Sequence, residues 1–187
     1  MRWEQISGVS WGEGEGSAKQ ATWTIPASQM KLEDDQRSDD RFDHDVPLAP
    51  PAVALLRAMH ELTGGGPFVF PSNRSSRQPM SENALSYLYK RLGYQRRHVP
   101  HGWRSSFSTV MNVVYDDEVS RGMPWRGIID MMLAHIPPGT SAAEWSYNRA
   151  KYAGRRRAVA YRWADLLLES SVPLERVIGG SRRSELL

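Results

Sequence analysis

The sequence predicts an α+β fold that is mainly α, in which a small antiparallel sheet of three strands near the N-terminus packs against a bundle of about five helices. Short strand-like segments separated by turn-forming residues occupy the beginning of the chain, and from Pro50 onward apolar residues recur at helical spacing. A chain of 187 residues is long enough for one buried core and short for two. We therefore expect one domain over residues 1–178 and a polar tail over residues 179–187.

The predicted strands cover residues 1–7, 22–27 and 45–49, and glycine-rich sequence separates the first two. Between the second and third strands, residues 32–44 contain six carboxylates and only two arginines. Such an excess of like charge disfavours a packed structure. This segment is therefore predicted to be a mobile acidic loop.

The predicted helices are recognised by apolar stripes at helical spacing. The first runs from the prolines at positions 50 and 51 to the glycines at positions 64–66. The second begins near Ser81, is expected to bury its three leucines, and stops at Gly93, where glycine can take the left-handed conformation that closes a helix. The stripes are Ala52, Leu55, Leu56, Met59 and Leu62; Leu85, Leu88 and Leu92; Phe107, Val110, Met111 and Val114 after His101; Trp125, Ile128, Ile129 and Met132 after Pro124; and Ala160, Trp163, Leu166 and Leu167.

The composition excludes several classes of protein. Because the chain has no cysteine, it cannot form disulfides, thiolate metal sites or a cysteine nucleophile, and a reducing cytoplasm is the expected setting. No apolar run approaches the roughly 20 residues needed to span a bilayer, and the first residues do not resemble a signal peptide. We therefore expect a soluble cytoplasmic protein with no membrane partner.

Basic residues are unevenly distributed along the chain. The net charge is only +3, but the pI is 9.3 and cations gather in the second half. This pattern can neutralise nucleic-acid phosphates, although basic stretches are also typical of solvated helix faces. The clustered cations are Lys90, Arg91, Arg96, Arg97, Arg104, Arg149, Lys151, Arg155, Arg156, Arg157 and Arg162.

Four short features carry residue types suited to chemistry on phosphate groups: Lys31 after a strand, HGWR at 101–104, LAH at 133–135 and YNR at 147–149. Each also has a purely structural interpretation. A lysine at a strand end is commonly solvated, a histidine at a helix end can favour the helix dipole, and a tyrosine can belong to a core. Their combination and order favour the functional interpretation.

In this combination the sequence resembles the tyrosine recombinases, and most closely the integrases of P4-like phages and genomic islands. The resemblance implies the catalytic-domain fold of that family in a prokaryotic, DNA-associated protein. It also implies site-specific cleavage and rejoining of double-stranded DNA through a 3′-phosphotyrosine, without a cofactor or a metal. The matching segments are 2–6, 23–27, 30–31, 46–48, 69–72, HGWR at 101–104, LAH at 133–135, SYNRA at 146–150, 155–157 and 163–165.

The resemblance assigns a role to each candidate catalytic residue. Tyr147 is the nucleophile, Arg104 binds the scissile phosphate, His101 matches the histidine of the HxxR segment, His135 hydrogen-bonds the phosphate, and Lys31 donates a proton to the leaving 5′ oxygen. Tyr152 is a rival nucleophile, but SYNRA fits the family pattern better. The expected DNA-binding residues are Lys90, Arg91, Arg96, Arg97 and Arg149.

Physical chemistry is consistent with these roles. A phosphodiester in transfer gathers negative charge on its nonbridging oxygens, which the planar fork of an arginine can bind at two points. A phenol with a pKa near 10 needs help to lose its proton at neutral pH. The covalent link preserves the energy of the broken bond, so no nucleotide cofactor is needed. The loose GxGxG at 12–16 is interpreted as a turn.

Two departures from the family pattern leave alternatives open. The family's first catalytic arginine precedes the strand that begins here at Met1, so we expect this chain to lack it and to be inactive alone. The acidic segment after Lys31 would repel DNA. A non-catalytic DNA-binding or protein-interaction module, a type IB topoisomerase and a metal-dependent nuclease are the rivals. Loss of the family's first helix should expose apolar surface, so we expect self-association; by family, a tetramer on attachment-site DNA is expected. In the family a C-terminal segment packs against a neighbouring copy, and residues 172–187 either do this here or form a frayed tail.

Overall fold

The computed structural model of the chain describes residues 1–11, 21–135 and 152–179. Within these residues the fold is α+β and mainly α, with a three-stranded antiparallel sheet near the N-terminus. The predicted fold class is therefore confirmed.

The three-stranded sheet consists of β1 (Ile6–Ser7), β2 (Thr22–Ile25) and β3 (His44–Pro47), with β2 in the centre. Trp23 on β2 lies opposite Ile6 on one side and Val46 on the other.

The first strand is shorter than the predicted range 1–7, because Trp3–Gln5 forms a 3-10 turn. The reason is the buried side chain of Gln5, which must satisfy its polar atoms. Its oxygen accepts from the Arg2 backbone N–H at 2.9 Å and from Trp23 Nε1 at 3.2 Å, and its amide donates to Gln29 at 3.1 Å.

A second, two-stranded sheet was not predicted from the sequence. It is a hairpin of β4 (Pro71–Ser72) and β5 (Ser75–Pro79), in which Ser72 pairs with Ser75. Its strands are short and rich in serine and proline, so they lack the alternation of apolar and polar residues that identifies a strand in sequence.

The five predicted helices are present, and the sequence analysis missed short helices before, between and after them. The helices are α1 (Asp34–Arg37), α2 (Pro50–Thr63), α3 (Ala84–Arg91), α4 (Gly102–Val114), α5 (Asp116–Ser120), α6 (Trp125–Met132), α7 (Ala153–Leu168) and α8 (Leu174–Gly179). The predicted ones correspond to α2, α3, α4, α6 and α7. The predicted tail begins at the last residue of α8, and residues 180–187 lie outside the described residues, so that boundary stays a prediction.

Residues 32–44, predicted to be a mobile acidic loop, contain short helical elements that the sequence analysis missed. This segment contains α1 and a 3-10 turn at Asp40–Phe42. Asp39 accepts hydrogen bonds from the backbone and guanidinium of Arg41, and Asp43 Oδ1 accepts from the backbone N–H of Ala27 at 2.8 Å. Composition gives the charge of these carboxylates. It does not show that they accept hydrogen bonds from backbone N–H groups, and these hydrogen bonds give the segment its local structure.

Buried apolar side chains form two clusters. The first joins the sheet to α2, and the second joins α4, α6 and α7. Removal of this apolar surface from water is the main favourable term in folding. The sheet cluster contains Ile6, Ala21, Leu48, Val53, Leu56 and Val69; the helical cluster contains Phe107, Met111, Tyr115, Trp125, Ile128, Ile129, Leu133 and Val159.

The predicted burial of the leucines on α3 is wrong. Leu85, Leu88 and Leu92 are 44%, 36% and 61% exposed. An apolar stripe predicts that a helix has an apolar face, but not that another part of the chain covers it. On the stripe of α2, Leu62 is likewise 78% exposed.

The sheet and the helical cluster are tied together by Arg156. This residue lies on α7, is only 8% exposed, and donates from Nη2 to the backbone carbonyl oxygen of Asp45 on β3. The Asp45 side chain in turn accepts from Thr24 Oγ1 at 2.7 Å, so the contact reaches the central strand. No helix of the described part of the chain is long and apolar enough to cross a membrane.

We predict that Arg156→Met lowers the free energy of unfolding by about 1–3 kcal/mol, because the part-buried carbonyl of Asp45 loses its donor. The matched control is Arg157→Met, since the neighbouring arginine is partly exposed and its replacement should change stability by less than about 0.5 kcal/mol. Urea denaturation of the two variants measures the difference. Equal losses would show that Arg156 does not hold the sheet to α7.

Candidate functional site

The structure describes four of the predicted catalytic residues: Lys31, His101, Arg104 and His135. Tyr147, the predicted nucleophile, lies outside the described residues, as does Arg149. The geometry of the site is therefore given by the four described residues and their neighbours.

Arg104 and His135 are brought together although 31 positions separate them in sequence. Arg104 lies in the first turn of α4, and its Nη2 is 2.6 Å from the carbonyl oxygen of Leu133 and 3.2 Å from His135 Nε2. Leu133 is the C-cap residue of α6, at the end where the helix dipole places negative charge. A backbone oxygen and an imidazole thus fix one edge of the guanidinium.

The turn that ends α6 creates this arrangement. The backbone N–H of Ala134 donates to Met131 O at 3.1 Å and that of His135 donates to Asp130 O at 2.9 Å, which is the hydrogen-bond pattern of a Schellman motif. Ala134 has a φ of 57°, a left-handed conformation that costs a non-glycine residue about 1–2 kcal/mol. The turn leaves the Leu133 carbonyl facing Arg104.

The imidazole of His135 lies between a cation and a carboxylate. Its Nε2 faces Arg104, and its Nδ1 is 4.0 Å from Asp130 Oδ1. Because the Arg104 N–H can only donate to a nitrogen without a proton, this geometry favours the neutral tautomer with its proton on Nδ1. Asp130 was not identified from the sequence, since its place beside His135 depends on the turn.

Lys31 and His101 are exposed and do not join this pair through hydrogen bonds among the described residues. Lys31 follows a 3-10 turn at Ala27–Gln29, in the connection between β2 and β3. His101 directly precedes α4, and its backbone carbonyl accepts from the Arg104 N–H at 3.1 Å.

The predicted DNA-binding cations at positions 90, 91, 96 and 97 form an exposed basic segment between α3 and α4. Lys90 and Arg91 lie in the last turn of α3, while Arg96, with a φ of 61°, and Arg97 follow in the loop. None of the four makes an ion pair with a described residue, so their charge is available to an anionic partner.

An aromatic cluster that the sequence analysis missed supports the basic segment; it consists of Tyr89, Tyr94, His98 and Trp103. Trp103 Nε1 donates to the Tyr89 hydroxyl at 2.6 Å, and the His98 ring meets Trp103 edge-on at 5.0 Å. The guanidinium of Arg97 lies 6.0 Å from the Tyr94 ring centroid. Trp103 directly precedes Arg104, so the cluster connects the basic segment to the Arg104–His135 pair.

Close packing explains the glycine of the HGWR segment. A Cβ at Gly102 would lie 3.0 Å from Cε1 and 3.2 Å from Nδ1 of His98. Both contacts are tighter than ordinary van der Waals separations, so a Cβ at this position would require the His98 side chain to move by a few tenths of an ångström.

Tyr115 and Tyr152 are built into the helical core. Tyr115 stacks on Trp125 at 4.2 Å, and burial raises the pKa of its phenol; Glu118 adds to the rise and Arg162 opposes it. A nucleophilic phenolate requires the opposite shift. Tyr152, the rival nucleophile, packs against the same cluster.

The described residues thus form a cationic site at the start of α4, with a fixed arginine beside a histidine and exposed cations nearby, which is suited to binding phosphate groups. Comparison with known proteins identifies the family. No family model and no solved structure match the chain.

Prophage integrase IntA of Escherichia coli (strain K12) is 35% identical over 157 residues, which are 84% of this chain and 33% of that protein. Prophage integrase IntZ of the same strain is 35% identical over 179 residues, 93% of this chain and 37% of that protein. The integrase of Shigella phage Sf6 is 33% identical over 148 residues, which are 78% of this chain and 34% of that protein. The chain belongs to the phage and prophage integrase family, and it spans about a third of the length of these curated relatives.

We predict that Ala134→Gly raises the free energy of unfolding by about 0.5–1 kcal/mol, because relief of the left-handed strain exceeds the added freedom of glycine in the unfolded chain. Ala134→Val should lower it by about 1 kcal/mol or more, since a β-branched residue resists this conformation. Thermal unfolding of the three proteins measures their order of stability. A valine variant as stable as the glycine variant would contradict the strain.

Proposed function

We propose that this chain provides the DNA-cleaving part of a site-specific recombinase, which breaks and rejoins double-stranded DNA through a 3′-phosphotyrosine on Tyr147. The observation that carries the proposal is the Arg104–His135 pair held at the end of α6. The integrase relatives support it, since two of them are 35% identical to this chain over 84% and 93% of its length.

Arg104 is suited to the scissile phosphate because it is oriented before DNA arrives. Its Nη2 faces Leu133 O and His135, and its other N–H groups have no partner among the described residues. Those remaining donors can bind two nonbridging oxygens at once. A fixed guanidinium stabilises the developing charge without having to reorganise during the reaction.

The proposed reaction is balanced in bonds and protons. The Tyr147 oxygen releases its phenolic proton to solvent water and attacks the phosphorus, so the phosphotyrosine bond forms while the bond from phosphorus to the 5′ oxygen breaks. Lys31 donates a proton to that leaving oxygen, and His101 and Arg104 assist loss of the phenolic proton by stabilising the phenolate. Rejoining reverses each step, so no cofactor or external energy source is required.

Docking on attachment-site DNA is assigned to the basic segment, together with Arg149. Phosphate contacts of this kind supply affinity and orientation rather than sequence choice. Assembly of several copies on DNA, up to a tetramer, belongs to the same proposal, and the exposed leucines of α3 offer apolar surface for it. The proposed setting is the bacterial cytoplasm, on DNA.

Covalent trapping tests the chemistry. A chimera in which this chain replaces the matching 157-residue segment of IntA is incubated with nicked DNA carrying the IntA attachment site, and adducts are separated on a denaturing gel. We expect an adduct from the chimera that Tyr147→Phe abolishes, because the phenylalanine ring has no nucleophilic oxygen. Tyr152→Phe is the matched control and should leave the adduct in place.

The control outcomes distinguish the alternatives. An adduct from native IntA but none from the chimera would favour a non-catalytic DNA-binding module. An adduct that survives in Tyr147→Phe and disappears in Tyr152→Phe would assign the nucleophile to Tyr152 instead.

For DNA binding, we predict that the double variant Arg96→Ala/Arg97→Ala weakens binding. It should also reduce the magnitude of the slope of the logarithm of the binding constant against the logarithm of the salt concentration by about 2, since each phosphate contact contributes about 0.9 to this slope. Fluorescence anisotropy of labelled duplex DNA at several salt concentrations measures it. The matched control, Arg176→Ala on α8, removes an exposed cation outside the basic segment. An unchanged slope in the double variant would exclude these arginines from DNA contact.

A further inference from the structure

Asp130 contacts His135 at two points, and neither follows from sequence spacing. Its backbone carbonyl accepts the His135 N–H at 2.9 Å, and its carboxylate oxygen Oδ1 lies 4.0 Å from His135 Nδ1. Both contacts arise because the turn at Ala134 folds the chain back over the last turn of α6. The residue that fixes the backbone of His135 therefore also faces its ring.

The contacts of the ring are complementary in charge. Nδ1 faces a carboxylate that is 31% exposed, and Nε2 faces the guanidinium of Arg104 at 3.2 Å. A carboxylate favours an N–H directed towards it, while an arginine N–H requires a nitrogen lone pair. Both neighbours select the same tautomer, with the proton on Nδ1, which faces Asp130 Oδ1 at 4.0 Å.

We propose that Asp130 is a positioning residue for the recombination reaction: it keeps the Nδ1 proton of His135, so that Nε2 always faces Arg104 and the scissile phosphate. This inference rests on the proposed function. Without DNA, Nε2 accepts from Arg104. With the ring held in this orientation, Nε2 stays at the edge of the phosphate site beside Arg104, while Nδ1–H remains directed at Asp130.

The role is of the kind that carboxylates have behind reacting or metal-bound histidines, where they fix the ring and its tautomer. Asp130 is placed to act through His135 and not to touch DNA itself, because His135 lies between it and Arg104. Its loss should therefore slow the chemical step more than it weakens DNA binding.

The first test needs no activity. In this chain labelled with nitrogen-15, the ring nitrogens of His135 should show the neutral Nδ1–H tautomer by NMR, and Asp130→Ala should shift the population towards Nε2–H. Asp117→Ala on α5 is the matched control, because it removes an exposed carboxylate away from His135. An Nδ1–H tautomer that persists unchanged in Asp130→Ala would overturn the proposal.

The second test uses the chimera with IntA. Asp130→Ala should lower the rate of adduct formation about 10-fold, within the range found when such supporting partners are removed, with DNA affinity changed less than about 2-fold. Asp130→Glu should recover most of the rate, since one added methylene can span the 4.0 Å gap. Equal losses of rate and affinity, or no recovery with glutamate, would mean that Asp130 serves only to fold the turn.

Failure of the two proposals can be told apart. If the unsubstituted chimera forms no adduct while the NMR shift occurs, the tautomer is set as proposed and the recombinase function is what fails. If the adduct forms normally in Asp130→Ala, the function stands and the positioning role is overturned.

Discussion

The arrangement of the described residues depends on the contact between the buried side chain of Arg156 and the backbone carbonyl of Asp45. The sheet cluster carries the connection that holds Lys31, and the helical cluster carries Arg104 and His135. Burial of a guanidinium is costly unless its hydrogen bonds are made, so the contact defines how α7 sits on β3. Through it, two separately packed cores acquire a fixed relation, and a site that draws residues from both becomes possible.

Within the helical core, local strain is located where the proposed chemistry requires a defined geometry. The left-handed conformation of Ala134 ends α6 and turns the Leu133 carbonyl towards Arg104 and the ring of His135 towards Asp130. A glycine would form the same turn with less strain but would allow more conformations. Strained backbone positions cluster at functional sites because the surrounding structure holds them in one arrangement.

The sequence was informative wherever a regular spacing of apolar residues defines a single helix. The apolar stripes located α2, α4, α6 and α7, and the HGWR and LAH segments identified two residues that the fold brings within 3.2 Å. Sequence-based prediction failed where a residue's environment depends on which other residue contacts it in the fold. The leucines of α3 have no described partner that covers them, and the carboxylates after Lys31 act as caps and tethers. Asp130 and the aromatic cluster were missed because the contacts that give them a role form only once the folded chain brings distant residues together.

The two groups of cations next to α4 are supported in different ways, and this suggests how affinity and catalysis are divided between them. Arg104 is held by a backbone carbonyl and an imidazole, whereas Arg97 is near an aromatic face and its exposed neighbours have no ionic partner in the described part of the chain. Exposed cations can follow the DNA backbone as it varies and contribute through long-range attraction. A transition state instead requires a donor already in place, because reorganisation during the reaction would raise the barrier. The aromatic cluster connects the two groups through Trp103, so under the proposed function DNA bound by the basic segment would lie beside the arginine that is already oriented.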